Sequence, residues 1–119
     1  MKESEEQALL FKWADYMSLK YPALRLMFHV PNGGSRDLIE ARNLKRQGVK
    51  AGVPDIVLPV ARGGFHGLFI EMKRADGGRL SEAQADYLKK LRMQNYQAVV
   101  CNGFESAKSV IEAYLGGDQ

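Results

Sequence analysis

Two otherwise apolar, β-rich runs carry three charged residues. In the stretch GVPDIVLPVARGGFHGLFIEMK they are Asp55, Glu71 and Lys73. An unpaired charge on a core strand costs several kcal/mol or shifts its pKa until it neutralises, so each needs a partner. The link RGGFHG, with three glycines, joins the runs and predicts an antiparallel hairpin. In a hairpin the start of the first strand lies beside the end of the second, so Asp55 meets Glu71 and Lys73 at one end of a sheet. Glu71 and Lys73 are two apart and share a face, while Met72 turns to the core.

Two carboxylates brought that close repel each other, and a divalent cation is one remedy. Carboxylate oxygens are hard ligands, so Mg2+ or Mn2+ is expected, with water and the Met72 backbone carbonyl completing the shell. No His/Cys cluster suggests zinc. A metal held by Asp55 and Glu71 would acidify a water and neutralise phosphate charge. Lys73 would orient or deprotonate that water, or stabilise the pentacovalent phosphate. This is the chemistry of metal-assisted phosphodiester hydrolysis. Each piece has a bland reading, since Pro-Asp starts many turns and Glu-x-Lys can be a surface ion pair. The compound spacing argues for the site.

The elements that must hold these residues follow from the apolar pattern. Residues 4–20 read as a helix with Ser4 and Gln7 as a capping box and Leu10, Trp13, Ala14 and Met17 as its buried face. Glu3 and Glu6 lie on the same stripe. Leu24 to Val30 reads as a strand and PNGGSR as a loop. RDLIEARNLKRQG reads as a helix ending at Gly48. After the hairpin, Ser81 caps a helix with Ala85, Leu88, Leu91 and the stem of Arg92 inward. YQAVVC is a fourth strand, FESAKSVIEAYL a last helix and GGDQ a frayed tail. The order αβαββαβα predicts an α/β fold with a mixed sheet flanked by helices, in one domain over residues 1–119.

Composition narrows the class. The chain has 119 residues and a net charge of +3, which permits a nucleic-acid partner without demanding one. One cysteine excludes an intrachain disulfide and fits a reducing compartment. No signal-peptide pattern and no apolar run of about 20 residues is present, so a soluble cytoplasmic protein is expected. The glycine-rich loops lack the spacing of a Walker motif, which argues against nucleotide hydrolysis.

GVPDIVLPV, GLFIEMK and SEAQADYL together resemble the PD-(D/E)xK nuclease superfamily and, within it, the VRR-NUC (virus-type replication-repair nuclease) family. The resemblance spans nearly the whole chain and includes PNGG and the first-helix acids. It implies a restriction-endonuclease-like αβββαβ core, with the helix after PNGGS an addition. It implies Asp55, Glu71 and Lys73 as the catalytic set, joined by a first-helix acid. Glu6 is chosen because the buried stripe turns it towards the sheet, with Glu3 the alternative. Gln84 matches the family glutamine, one turn into its helix, within reach of Lys73 or a substrate phosphate.

The same resemblance implies a DNA endonuclease acting on branched DNA such as four-way (Holliday) junctions. Stand-alone members are associated with phage, which places the protein in a bacterial or phage-infected cell. The two-fold symmetry of a junction suits a homodimer. The competing class is a binding module on the same fold that does not cut.

Candidate phosphate contacts are Asn32, Gly33, Gly34 and Arg36 in the glycine loop. Lys45, Arg46, Lys50, Arg74 and Arg79 extend them, with Arg62 a further candidate. Sequence-independent, salt-sensitive binding is expected. His29 lies next to the glycine loop, near the site or structural. His66 is expected in the hairpin turn, and Trp13 and Tyr87 in the core or an interface.

Overall fold

A computed structural model of the chain describes residues 1–31 and 37–116. Its helices are α1 (Glu3–Met17), α2 (Leu38–Arg46), α3 (Glu82–Met93) and α4 (Phe104–Leu115). Its strands are β1 (Phe28–His29), β2 (Ile56–Leu58), β3 (Leu68–Lys73) and β4 (Gln97–Asn102). They form one mixed sheet in the order β1-β2-β3-β4, antiparallel up to β3 and parallel between β3 and β4.

The register explains which side chains reach the site. Ile56 pairs with Ile70, and Ile70 with Val99, on one row across the sheet. Leu68, Ile70 and Met72 alternate onto the face that packs with Leu10 and Ala14 of α1 and Ala107 and Ile111 of α4. The odd positions of β3 turn to the other face. There Val57, Phe69 and Ala98 share a row, Phe69 meets Tyr96 edge-on at 5.3 Å, and buried Leu88 comes from α3. Glu71 and Lys73 continue that odd row, so they point towards α3 while Met72 is fully buried in the main core.

The hairpin turn is tight because Gly63 and Gly64 both have positive φ, +57° and +87°, between the paired residues Arg62 and Phe65. Such a pair suits a two-residue loop whose twist matches the strands. Tyr114 of α4 donates its hydroxyl to the Val60 carbonyl at 2.7 Å and ties that end down.

Several elements differ from the sequence expectation. α1 starts earlier, with Lys2 as its N-cap residue, whose N–H donates to Glu5 Oε1 at 2.8 Å; Ser4 is already inside the first turn. It ends at Met17 rather than residue 20. The expected strand from Leu24 becomes a 3-10 turn over Pro22–Leu26, and only Phe28 and His29 pair with β2. Pro22 supplies the φ a helical first turn needs, and Leu24 is buried in the core cluster. A seven-residue apolar run fits either state, and burial of Leu24 decides it. On α3 the inward positions are Gln84, Tyr87, Leu88 and Leu91, one step from Ala85, which is exposed. Arg92 reaches in as expected, donating Nε–H to the Ala98 carbonyl at 2.8 Å. α2 runs only from Leu38 to Arg46 with Gln47 as its C-cap, two residues short of the expected end, and Gly48, φ +108°, follows the cap; α4 spans the residues read from the sequence. The tail residues 117–119 lie outside the described residues.

One close approach fastens the site together. Gly52 has φ +86°, and a Cβ there would lie 2.4 Å from the Ala83 carbonyl oxygen and 3.0 Å from the Gln84 nitrogen. The loop carrying Asp55 therefore lies directly on the first turn of α3, which carries Gln84. Gly52→Ala should lose about 2 kcal/mol or more, because it adds both a strained φ and a backbone clash. Urea unfolding should report this as a lower midpoint.

Candidate active site

Asp55 directly precedes β2, and its Oδ2 accepts the Met72 backbone N–H at 2.8 Å. The end of the hairpin thus brings Asp55 against the stretch from Glu71 to Lys73, as its geometry requires. The N–H and C=O of one strand residue face the same edge, so the Met72 carbonyl also faces the Asp55 side.

Glu71 is 2% exposed, and its two oxygens have different surroundings. Oε2 accepts from Gln84 Nε2 at 3.0 Å and lies 3.6 Å from Lys73 Nζ. Oε1 is buried with no hydrogen-bond partner. Burial, followed by the charge and hydrogen bond of neighbouring Asp55, raises the Glu71 pKa from 4.5 to about 8. Lys73 acts in the opposite direction, and the charge of Glu3 adds to the rise. A buried carboxyl in this position is completed either by a proton shared with Asp55 or by a cation.

Gln84 is the bridge. Its Oε1 accepts from Lys73 Nζ at 3.0 Å and from the Ser81 N–H at 2.9 Å, while its Nε2 donates to Glu71. Ser81 Oγ accepts the Gln84 N–H at 3.1 Å, so the capping box of α3 also orients the glutamine. A reading of Gln84 as a solvated helix position misses these contacts. The Lys73 stem is covered by Gly78, where an added Cβ would sit 3.1 Å from Lys73 Cδ.

The first-helix acids divide. Buried Glu6 accepts the Phe104 N–H at 2.9 Å with Oε1, across 98 positions of sequence, and so caps α4. Glu3 is exposed, and its charge is the smallest of the contributions that raise the Glu71 pKa. Of the two, only Glu6 is buried on the stripe with Leu10 and Ala14. The contact with α4, which the sequence pattern does not show, is what engages Glu6.

The basic candidates are more dispersed. Lys45 and Arg46 are exposed in the last turn of α2, and Lys50 follows them. A cleft of about 540 Å3, lined in part by Val30, Leu44, Lys50 and Val53, sets that end of α2 beside the segment carrying Asp55. Arg74 and Arg79 are exposed in the loop between β3 and α3, with Arg74 3.4 Å from Asp76. Arg62 sits at the hairpin turn, the opposite end of the strands, and donates to the Ala61 carbonyl. Asn32, Gly33, Gly34 and Arg36 lie outside the described residues. His66 is exposed at the turn, and Trp13 and Tyr87 are half-buried.

The donor set fits a hard divalent ion. It offers two carboxylates, one with an unpartnered buried oxygen, and a carbonyl on the same edge. Among the described residues no group of three or more His, Cys, Asp or Glu side chains forms a ligand cluster. The protein would therefore supply few ligands, leaving room for water and phosphate oxygens.

The model of the VRR-NUC domain matches residues 2–105. A solved structure described as a "VRR_NUC domain protein" superposes with a TM-score of 0.85 and 34% identity, over 97% of this chain and 88% of its own. No curated protein matches.

Two outcomes follow from the buried acids. The folded Glu71 holds a proton that the unfolded chain loses near pH 4.5, so metal-free stability is full below that value and falls as pH rises towards about 8. Thermal unfolding in chelator should show this slope, and Glu71→Gln should flatten it. Glu6→Ala should cost about 1–2 kcal/mol through the lost α4 cap, and Glu6→Gln, which keeps an acceptor, less. Urea midpoints check both.

Proposed function

This chain belongs to the VRR-NUC family, a family of nucleases, and on that premise we propose that it is a Mg2+- or Mn2+-dependent DNA endonuclease. The observation that carries this reading is the buried, unpartnered Glu71 Oε1 beside Asp55, with Lys73 held next to it by Gln84. A divalent cation held by Asp55 and Glu71 would supply Lewis acidity, neutralising phosphate charge and lowering the pKa of water.

The protein's own residues have distinct tasks in this reading. Asp55 and Glu71 would hold the ion, with the Met72 carbonyl as a further ligand. Lys73, a compact charge on a stem confined by Gly78, faces the reacting phosphate and stabilises its added negative charge. Gln84 keeps that ammonium beside Glu71 and restrains both. Glu3 serves as the first-helix acid, adding negative potential at the metal side. Glu6 serves the fold.

DNA is held mainly through phosphates, by Lys45, Arg46 and Lys50 on one side of Asp55 and by Arg74 and Arg79 beyond Lys73. Asn32, Gly33, Gly34 and Arg36, outside the described residues, are further proposed phosphate contacts. Branched DNA, including four-way junctions, is the proposed substrate. Paired cuts across a two-fold junction call for a homodimer. Among the described residues no helix is long and apolar enough to cross a membrane.

Cleavage of end-labelled linear duplex, flap and four-way-junction DNA in Mn2+ tests this reading. Wild type should cut the junction in symmetric pairs, and Lys73→Ala should cut at least about 100-fold more slowly with DNA binding retained. Equal cutting of every substrate would remove the branch selectivity. Binding by wild type without any cutting would instead favour the binding module.

A further inference from the structure

We infer that His29 is a positioning residue for Asp55, holding the metal-side carboxylate through its backbone. This rests on the divalent-ion reading above. The Asp55 carbonyl accepts two hydrogen bonds, from the Val30 N–H at 2.7 Å and from His29 Nδ1 at 2.9 Å. A carbonyl only accepts, so Nδ1 carries the proton and the imidazole is held as its Nδ1–H tautomer.

The position gives this bond its importance. Asp55 stands before β2, outside the regular ladder, and β1 is an edge strand of two residues. Regular pairing there is only Phe28 with Val57 and His29 with Ile56. The side chain of His29 adds a further tie, one residue beyond the register. Asp55 is thus fixed at both ends, its carbonyl by β1 and its Oδ2 by the Met72 N–H. Rotation of the Asp55 peptide would swing the carboxylate away from Glu71. Groups that orient a ligand in this way commonly change affinity or activity about 10- to 100-fold when removed. His29 is itself exposed, so its worth lies in orientation rather than in core burial.

The test uses the full chain and four proteins: wild type, His29→Ala, His29→Asn and His29→Gln. Each is measured for Mn2+ affinity by calorimetry, for kcat and KM on a four-way junction, and for metal-free melting. An asparagine amide N–H can stand where Nδ1–H stands, whereas a glutamine amide reaches the place of Nε2. We expect His29→Ala and His29→Gln to bind Mn2+ about tenfold more weakly and to lose about tenfold in kcat at nearly constant KM. His29→Asn should recover most of both. A purely structural role would lower the melting temperature while leaving the affinity of the folded protein unchanged, and that result overturns the inference. So does equal behaviour of His29→Asn and His29→Ala. If wild type itself binds no Mn2+, the divalent-ion reading falls and takes this one with it. If wild type binds and cuts while every His29 variant matches it, the His29 role alone is lost.

Discussion

The arrangement turns on two carboxyl groups that the hairpin forces together, Glu71 buried and Asp55 half-buried. Glu71 is almost fully buried, and Asp55 is its neighbour across the strand ends. At such a site two negative charges cannot both go uncompensated, because the repulsion and the desolvation each cost several kcal/mol. One proton or one cation removes the conflict, and burial beside Asp55 pushes the Glu71 pKa up to about 8, which favours the proton. Lys73 and Gln84 soften the conflict on one oxygen only, leaving Oε1 for the missing partner.

Such a pair is useful only if it cannot relax, and the surrounding structure is arranged to prevent that. β3 is covered on both faces, so Glu71 and Lys73 cannot turn away without exposing Ile70 and Met72. Gly52 lets the Asp55 loop lie on the backbone of α3, and the α3 capping box points Gln84 back at β3. Gly103, with φ +90°, lets the start of α4 approach Ala75 just past Lys73, and its N–H donates to the Lys73 carbonyl at 2.8 Å. Glu6 then ties the same corner to α1. The ends of three helices therefore brace one end of one strand.

Much of this was legible in the residues. The hairpin and its shared end followed from strand geometry and a glycine turn, and they brought Asp55, Glu71 and Lys73 together. Ser81 announced the start of α3, and α4 was bounded correctly. What the pattern left open were choices made by tertiary contact. The run from Leu24 to Val30 read as a strand, yet Leu24 enters the core from a 3-10 turn over Pro22–Leu26. Glu3 and Glu6 shared a helical stripe in the sequence, and the bond from Phe104, far along the chain, to Glu6 was not visible there. Gly52 was visible as part of Gly-x-Pro-Asp, yet its reason, contact with Ala83, lies in another element. His29 read more readily as a structural strand residue than as a neighbour of the site, because its bond to the Asp55 carbonyl joins two elements.

The exchange of a proton for a cation at Glu71 is the most direct test of the account. Calorimetric titration with Mn2+ at pH 7, repeated in buffers of different ionisation enthalpy, counts the protons released per ion bound. The account predicts close to one proton per ion for wild type, fading above about pH 8, and none for Glu71→Gln. Binding with no proton release at pH 7, or release that persists in Glu71→Gln, would contradict it.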